Sequence, residues 1–239
     1  MKSLGVIGGL GPMATAYFLE LTVRMTDAAR DQDHLEVTIL DRPSIPDRTA
    51  CILGRSKESP VPMMEKAAKT LEALGASCIA VPCVTSHYFF EELQKSVRIP
   101  FIHLVRETAA HLKENGVSSA GILATSGTVA TGLFQKALEA EGISWHIPDA
   151  GGQEKVMHLI YENVKAGLPP ELPLFEEVCA GLRKKGAECT ILGCTELSLI
   201  KRDFPVGPGC LDALEVLAKR SIEYCEKPLR PAYTSLITR

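Results

Sequence analysis

Two cysteines carry the most promising chemistry in this sequence. Cys83 and Cys194 each follow a short apolar run and precede polar residues: Cys83-Val84-Thr85-Ser86-His87 and Cys194-Thr195-Glu196. Their surroundings echo each other. GASCIAVPC at 75–83 matches GAECTILGC at 186–194 through Gly75/Gly186, Ala76/Ala187, Cys78/Cys189 and Cys83/Cys194. GVIGGLGPMAT at 5–15 likewise matches GILATSGTVAT at 121–131 through Gly5/Gly121, Gly11/Gly127, Ala14/Ala130 and Thr15/Thr131. Two echoes in the same order, at nearly the same separation, read as one internal duplication. If the halves face each other, equivalent cysteines meet across the cleft. Thiols on opposite faces of a substrate carbon can remove a proton on one side and deliver one on the other, inverting a stereocentre.

That chemistry needs more than a thiol. A free cysteine has a pKa of about 8.5, so part of the population is thiolate near neutral pH. A Cα proton is far less acidic, so donors must be aimed at the substrate carboxylate. Ser126, Gly127 and Thr128, at an expected helix start, are candidates. Arg48 can grip a carboxylate through two hydrogen bonds and Lys165 adds a point charge; a solvated surface charge is the other reading of each. His87 and Glu196 adjoin the cysteines and can tune them, while a structural histidine is the second reading of His87. Cys78, Cys179 and Cys189 sit in apolar runs, and Cys51, Cys210 and Cys225 lack comparable neighbours, so these six read as structural.

The elements that must position these residues alternate between strand and helix. Leu4–Ile7, Leu35–Leu40, Ser77–Val81 and Pro100–Leu104 are apolar runs of the kind buried in parallel sheets. Between them, Ser59 caps an expected helix with Pro60 at its first position, Met64, Ala67, Ala68, Leu71 and Leu74 on its apolar face, and Gly75 at its end. The second half repeats the scheme, with strands near 119–124, 143–147 and 188–192 and helices near 131–141, 153–166 and 173–185. A final helical pattern, Leu211 to Cys225, returns to pack on the first half. The expectation is an α/β fold of two pseudo-symmetric domains, each a mostly parallel sheet flanked by helices, with the active site in the cleft between them. The first lobe takes residues 1–102 plus 208–239 and the second 103–207.

Composition removes other classes. The 239 residues carry 26 Lys+Arg against 29 Asp+Glu, a net charge of −3 that gives no footprint for nucleic acid. Hydrophobic residues at 46% and charged residues at 23% argue against disorder. No run approaches the ~20 apolar residues of a membrane span. The start imitates a signal peptide, but Gly5, Gly8, Gly9, Gly11 and Pro12 break its apolar run. Eight cysteines without a CxxC pair suggest neither a zinc ribbon nor a secreted disulfide framework. The expectation is a cytoplasmic protein with reduced thiols, no metal and no cofactor.

GGLGPMAT (8–15), PDRTA (46–50), PCVTSH (82–87), LATSGTVATGLFQ (123–135), VKAG (164–167) and LGCTEL (192–197) resemble the motif set of the aspartate/glutamate racemase family, most closely its aspartate racemase branch. The resemblance spans nearly the whole chain. It implies two pseudo-symmetric α/β domains, cofactor-independent proton transfer on a small amino acid such as aspartate, and a homodimer. It places Cys83 and Cys194 as the catalytic pair and Thr85, Thr128 and Thr195 at the substrate's α-carboxylate and amino group. Arg48 and Lys165 fall at the side-chain carboxylate, and Gly11 in the first glycine-rich turn. One departure stands out. Val84 replaces the asparagine usual after the first cysteine, which removes a side-chain donor and acceptor and leaves glutamate or a broader substrate range open.

Other classes remain to be separated. Gly9-Leu10-Gly11-Pro12-Met13-Ala14 fits the dinucleotide-binding GxGxxA pattern, but Pro12 removes an amide and Asp41 lies further on than the usual ~20 residues. A non-catalytic two-lobed binding protein needs the cleft but not the thiols. A one-cysteine dicarboxylate chemistry needs only one of them. Cys83 and His87 alone make too small a cluster for a metal site.

Overall fold

The computed structural model describes residues 2–238; residues 1 and 239 of the expected first lobe lie outside them. Three parallel strands form the first sheet, with β1 (Ser3–Gly8) between β2 (Glu36–Asp41) and β3 (Cys78–Ala80). The second sheet repeats this order with β4 (Ser119–Leu123) between β5 (Ser144–His146) and β6 (Cys189–Leu192), and adds β7 (Cys210–Asp212) beyond β6. Every pairing is parallel. The helices are α1 (Pro12–Met25), α2 (Arg48–Ile52), α3 (Val61–Ala73), α4 (Phe90–Lys95), α5 (Leu104–Glu114), α6 (Ser126–Thr131), α7 (Leu133–Ala140), α8 (Ala150–His158), α9 (Leu172–Lys184), α10 (Thr195–Asp203) and α11 (Ala213–Tyr224). A 3₁₀ segment at Val84–Phe89 and a π-helical turn at Leu159–Val164 complete the set.

The repeated residues have a packing reason. Gly5 and Gly121 occupy equivalent places in the central strands, where a helix and the turn after it press on the backbone. A Cβ on Gly5 would lie 3.0 Å from the Ala76 Cβ and 3.1 Å from the Leu71 Cβ; one on Gly121 would lie 2.9 Å from the Leu182 Cδ1 and 3.3 Å from the Ala187 Cβ. Gly75 and Gly186 follow the helices that supply those leucines, at φ +88° and +101°, a conformation only glycine adopts freely. Gly121→Val therefore overpacks the strand against Leu182. It is expected to destabilise the protein by about 1–3 kcal/mol, read as a lower urea midpoint.

Several expected boundaries move. Pro100–Leu104 does not form a strand: Phe101 makes a single bridge to Ile79, and α5 begins at Leu104. Pro100 brings no N–H to a ladder, and the His103 ring nitrogen accepts the Arg106 N–H at 3.3 Å, which opens the helix instead. The first helix of the second half begins earlier than 131 and is split at Gly132, whose φ is +67°. The expected 153–166 helix starts at Ala150, where the Asp149 carboxylate accepts the Gly152 N–H at 2.8 Å, and turns π-helical from Leu159. The Ser59 hydroxyl accepts the Val61 N–H at 3.3 Å, so α3 starts one residue after Pro60. Leu74, placed on the buried face, is 63% exposed because α3 ends at Ala73. Leu211 opens no helix. It lies in β7, and the Asp212 carboxylate then caps α11 by accepting the Leu214 N–H at 2.8 Å.

α11 packs on α1 and α5 and touches β3. One core cluster accordingly runs from Leu4, Phe18 and Met25 through Leu104 and Leu112 to Ile122, Phe134, Leu217 and Ile222, joining the two sheets. Among the described residues no helix is long and apolar enough to cross a membrane, and no group of three or more His, Cys, Asp or Glu is placed to hold a metal ion.

Candidate active site

Both cysteines stand where the chain leaves an equivalent strand. Cys83 follows β3 and caps the 3₁₀ segment; Cys194 follows β6 and caps α10. The carboxyl ends of parallel strands carry ligand sites in such sheets. Here both cysteines, each nearly buried, face one small cavity between the halves. The first half contributes Leu10, Asp47, Arg48, Thr49, Val84 and Thr85 to its wall. The second contributes Thr125, Tyr161, Lys165, Thr195 and Glu196. The enclosed space is about 20 Å³, room for roughly one water. A vestibule of about 420 Å³ adjoins it and shares Asp47, Arg48, Lys165 and Glu196 with it; Gly11 lies on the vestibule wall.

The two thiols meet different partners. The Cys194 thiol donates to the Glu196 Oε2 at 2.8 Å, and the Glu196 Oε1 lies 3.5 Å from the Lys165 ammonium. Burial, then the Glu196 carboxylate, push the Cys194 thiol well above its ordinary pKa, against the pull of Lys165. For Lys165 burial is the largest single influence and opposes the charge, but Glu196, Cys194, Tyr161 and Cys83 together outweigh it and hold the ammonium above its ordinary value. The Lys165 ammonium also sits 4.8 Å from the centre of the Tyr161 ring. The π-helical turn that carries Tyr161 delivers Lys165 to the cavity directly after it.

Arg48 is buried beside Cys83. Its Nη1 donates to the carbonyls of Ile45 and Pro46 at 3.2 and 3.0 Å, and its Nη2 to the Leu10 carbonyl at 3.1 Å. Burial works against the Arg48 charge and the neighbouring Cys83 works for it; the balance holds the guanidinium above its ordinary pKa. Nε is buried and has no hydrogen-bond partner among the described residues. A guanidinium has five N–H groups. Three are taken by the backbone, which leaves Nε–H and one Nη2–H for other partners, among them the Cys83 side chain.

A cluster of hydroxyls also meets the cavity. The Thr85 Oγ1 is 3.0 Å from the Thr128 Oγ1 and 3.3 Å from the Thr125 Oγ1, and Thr125 and Thr128 are 3.2 Å apart. Thr125 reaches the cavity wall, whereas Thr128 stands behind it, with Ser126 and Gly127 also off the wall. The Ser126 N–H is taken by the Met157 sulfur at 3.2 Å, and Gly127 packs on Thr49, 3.0 Å from where a Cβ would lie. Of this turn the sequence singles out Ser126, Gly127 and Thr128, whereas the residue on the cavity wall is Thr125, which caps α6 by accepting the Thr128 N–H. Sequence reading also missed Leu10, Asp47, Thr49 and Tyr161. Thr49 lies inside a quoted motif and Tyr161 one helical turn before Lys165, so spacing could have flagged both.

His87 does not line the cavity. Its Nε2–H donates to the Val81 carbonyl at 3.3 Å and its ring lies 5.1 Å from that of His103. Burial first, then His103, lower its pKa to about 3. In the unfolded chain it titrates near 6.5, so below that pH the unfolded chain binds a proton the folded one refuses. The fold loses stability as pH falls from about 6.5 toward 3. His87→Gln is expected to lose less stability than the parent between pH 7 and 5, compared by urea midpoints.

Two related parallel sheets meet at a buried pair of thiols with cations and hydroxyls around them, an α/β fold whose candidate site draws on both halves. The chain matches the Asp/Glu/Hydantoin racemase family over residues 7–220, and it belongs to that family. An aspartate racemase from Picrophilus torridus superposes with a TM-score of 0.82 at 32% identity, covering 98% of each chain. An aspartate racemase homologue from Pyrococcus horikoshii superposes at 0.77 with 26% identity, covering 95% of this chain and 100% of the other. The broad specificity amino-acid racemase RacX of Bacillus subtilis is 28% identical over 92% of this chain and 96% of its own length.

Proposed function

We propose that this protein is a cofactor-independent amino-acid racemase that interconverts L- and D-aspartate, with Cys83 and Cys194 as its two bases. The observation that carries this reading is that the two cysteines end equivalent strands and face the same cavity from opposite halves. One thiolate takes the Cα proton while the other thiol supplies a proton to the opposite face. The N–H groups of Arg48 that the backbone leaves free suit a carboxylate held through two hydrogen bonds, and Lys165 adds charge. Thr85, Thr125 and Thr195 offer hydroxyls to the α-carboxylate and amino group. Negative charge that develops on the substrate carboxylate is then met by donors fixed before the reaction. Because the enclosed space is about 20 Å³, an amino acid enters by parting the wall toward the vestibule.

The reading includes a homodimer in the cytoplasm and the lobe division 1–102 plus 208–239 against 103–207, with the strand at 210–212 lent to the second sheet. Val84 supports a second reading, a broader or glutamate-directed range. It is 3% exposed and lines the cavity, so it offers an apolar contact rather than a hydrogen bond to the substrate. Proton NMR in D₂O separates the readings. Loss of the Cα–H signal from both enantiomers of aspartate supports the first. Exchange with glutamate or neutral amino acids instead supports the second. Binding without exchange from folded, reduced protein overturns both in favour of a binding protein.

A further inference from the structure

A two-thiol inversion leaves the enzyme altered. In a turnover where Cys83 removes the proton and Cys194 supplies one, a Cα–H bond breaks toward Cys83 while the Cys194 S–H bond breaks toward the opposite face of Cα. Product then leaves Cys83 as thiol and Cys194 as thiolate, a form suited only to the other enantiomer. Before the same enantiomer can react again, one proton must leave Cys83 and one must reach Cys194. Both sulfurs are nearly buried.

Glu196 is placed to serve one of them. Its Oε2 holds the Cys194 thiol at 2.8 Å, and its Oε1 lies 3.5 Å from Lys165. Its side chain is 8% exposed, yet it lines both the inner cavity and the vestibule. Gly11 faces it from the vestibule wall, and a Cβ there would come no closer than 3.9 Å to Oε1. The absent side chain at Gly11 leaves open space beside that oxygen. Cys83 has no hydrogen bond to a carboxylate among the described residues comparable to that of Cys194; the cations Arg48 and Lys165 are its charged neighbours, and Arg48 cannot release a proton in this range.

We propose that Glu196 is a proton relay that returns the proton to Cys194 from the vestibule between turnovers, an inference that rests on the two-thiol reading. Water or a buffer acid in the vestibule protonates the carboxylate. The new O–H bond then breaks toward the Cys194 sulfur, restoring carboxylate and thiol, while Cys83 releases its proton to water. One proton is taken up and one released. In the opposite reaction direction the same steps run in reverse.

The test compares the full-length enzyme with Glu196→Gln over a wide range of L-aspartate concentration. At low substrate the rate reports the chemical step; at high substrate it reports the return of the free enzyme to its starting form. Glu196→Gln is expected to lower kcat by about 10²-fold or more, the scale of a lost proton-transfer group, and kcat/KM by much less. Added imidazole, a small proton carrier, is expected to raise kcat of Glu196→Gln by a much larger factor than that of the parent enzyme. Equal losses in kcat and kcat/KM without a response to imidazole would overturn the relay and assign Glu196 to chemistry or packing. Glu196→Asp keeps a carboxylate and is expected to retain more of kcat than Glu196→Gln; equal kcat losses in the two, both folded by circular dichroism, would also overturn it. If the parent exchanges the Cα proton of no amino acid, the racemase reading itself fails and takes the relay with it.

Discussion

Cys194→Ala abolishes net inversion of aspartate while leaving Cα-proton exchange on a single enantiomer, and Cys83→Ala leaves exchange only on the other. Inversion falls by on the order of 10³-fold or more, because it needs both a base on one face and an acid on the opposite face. Exchange needs only one of them. The remaining thiol can remove a proton, trade it with deuterium and return it to the same face. The geometry makes this separation clean, since each cysteine comes from a different sheet and each substitution removes one buried sulfur without touching the other. Chiral chromatography follows inversion, and proton NMR in D₂O follows exchange. Inversion that survives in either variant would remove the two-base mechanism. Complete loss of exchange on both enantiomers in both variants would remove the division of faces.

Arg48→Met is expected to act on stability and on substrate choice together. In the folded protein the guanidinium satisfies the carbonyls of Leu10, Ile45 and Pro46. Methionine fills much of the same volume but leaves those acceptors unpaired. A buried unsatisfied group costs about 1–3 kcal/mol, so the urea midpoint falls. The larger effect falls on aspartate. Losing one partner of a buried charged contact costs about 2–5 kcal/mol, so kcat/KM for aspartate drops by on the order of 10²-fold or more. Alanine, with no side-chain carboxylate, loses far less. Arg48→Lys recovers little, because an ammonium cannot span three carbonyls and still offer a two-pronged edge. Equal losses for aspartate and alanine would show that Arg48 serves the cysteines or the fold rather than the substrate carboxylate.

Much of this was legible in one sequence because duplication writes the same physical constraints twice. Gly5 and Gly121 recur because a helix crosses the central strand too closely for a Cβ, and Gly75 and Gly186 because each following turn needs positive φ. Apolar runs identified both parallel sheets, since β1, β3, β4 and β6 are covered on both faces and have no polar side to show. The pairing of Cys83 with Cys194 followed from their equivalent places in the repeat. The weak points were local. Pro100–Leu104 has strand composition but no free N–H at its start, so a helix cap won. Three-residue β7 hid inside a helical pattern because so short a strand has no period to read.

What the sequence determined by itself was therefore the class of fold, the two halves and the cysteine pair, all of which rest on local pattern and its repetition. The tertiary structure decided which neighbours of those cysteines count. His87, four residues from Cys83, turns away to the Val81 carbonyl, while Tyr161 and Lys165 arrive from a distant π-helical turn. Thr125 rather than Thr128 reaches the cavity, and Arg48 spends three of its donors on backbone. Such assignments depend on the direction of each side chain and on competition for each hydrogen bond. Both arise only when segments far apart in the chain are packed together.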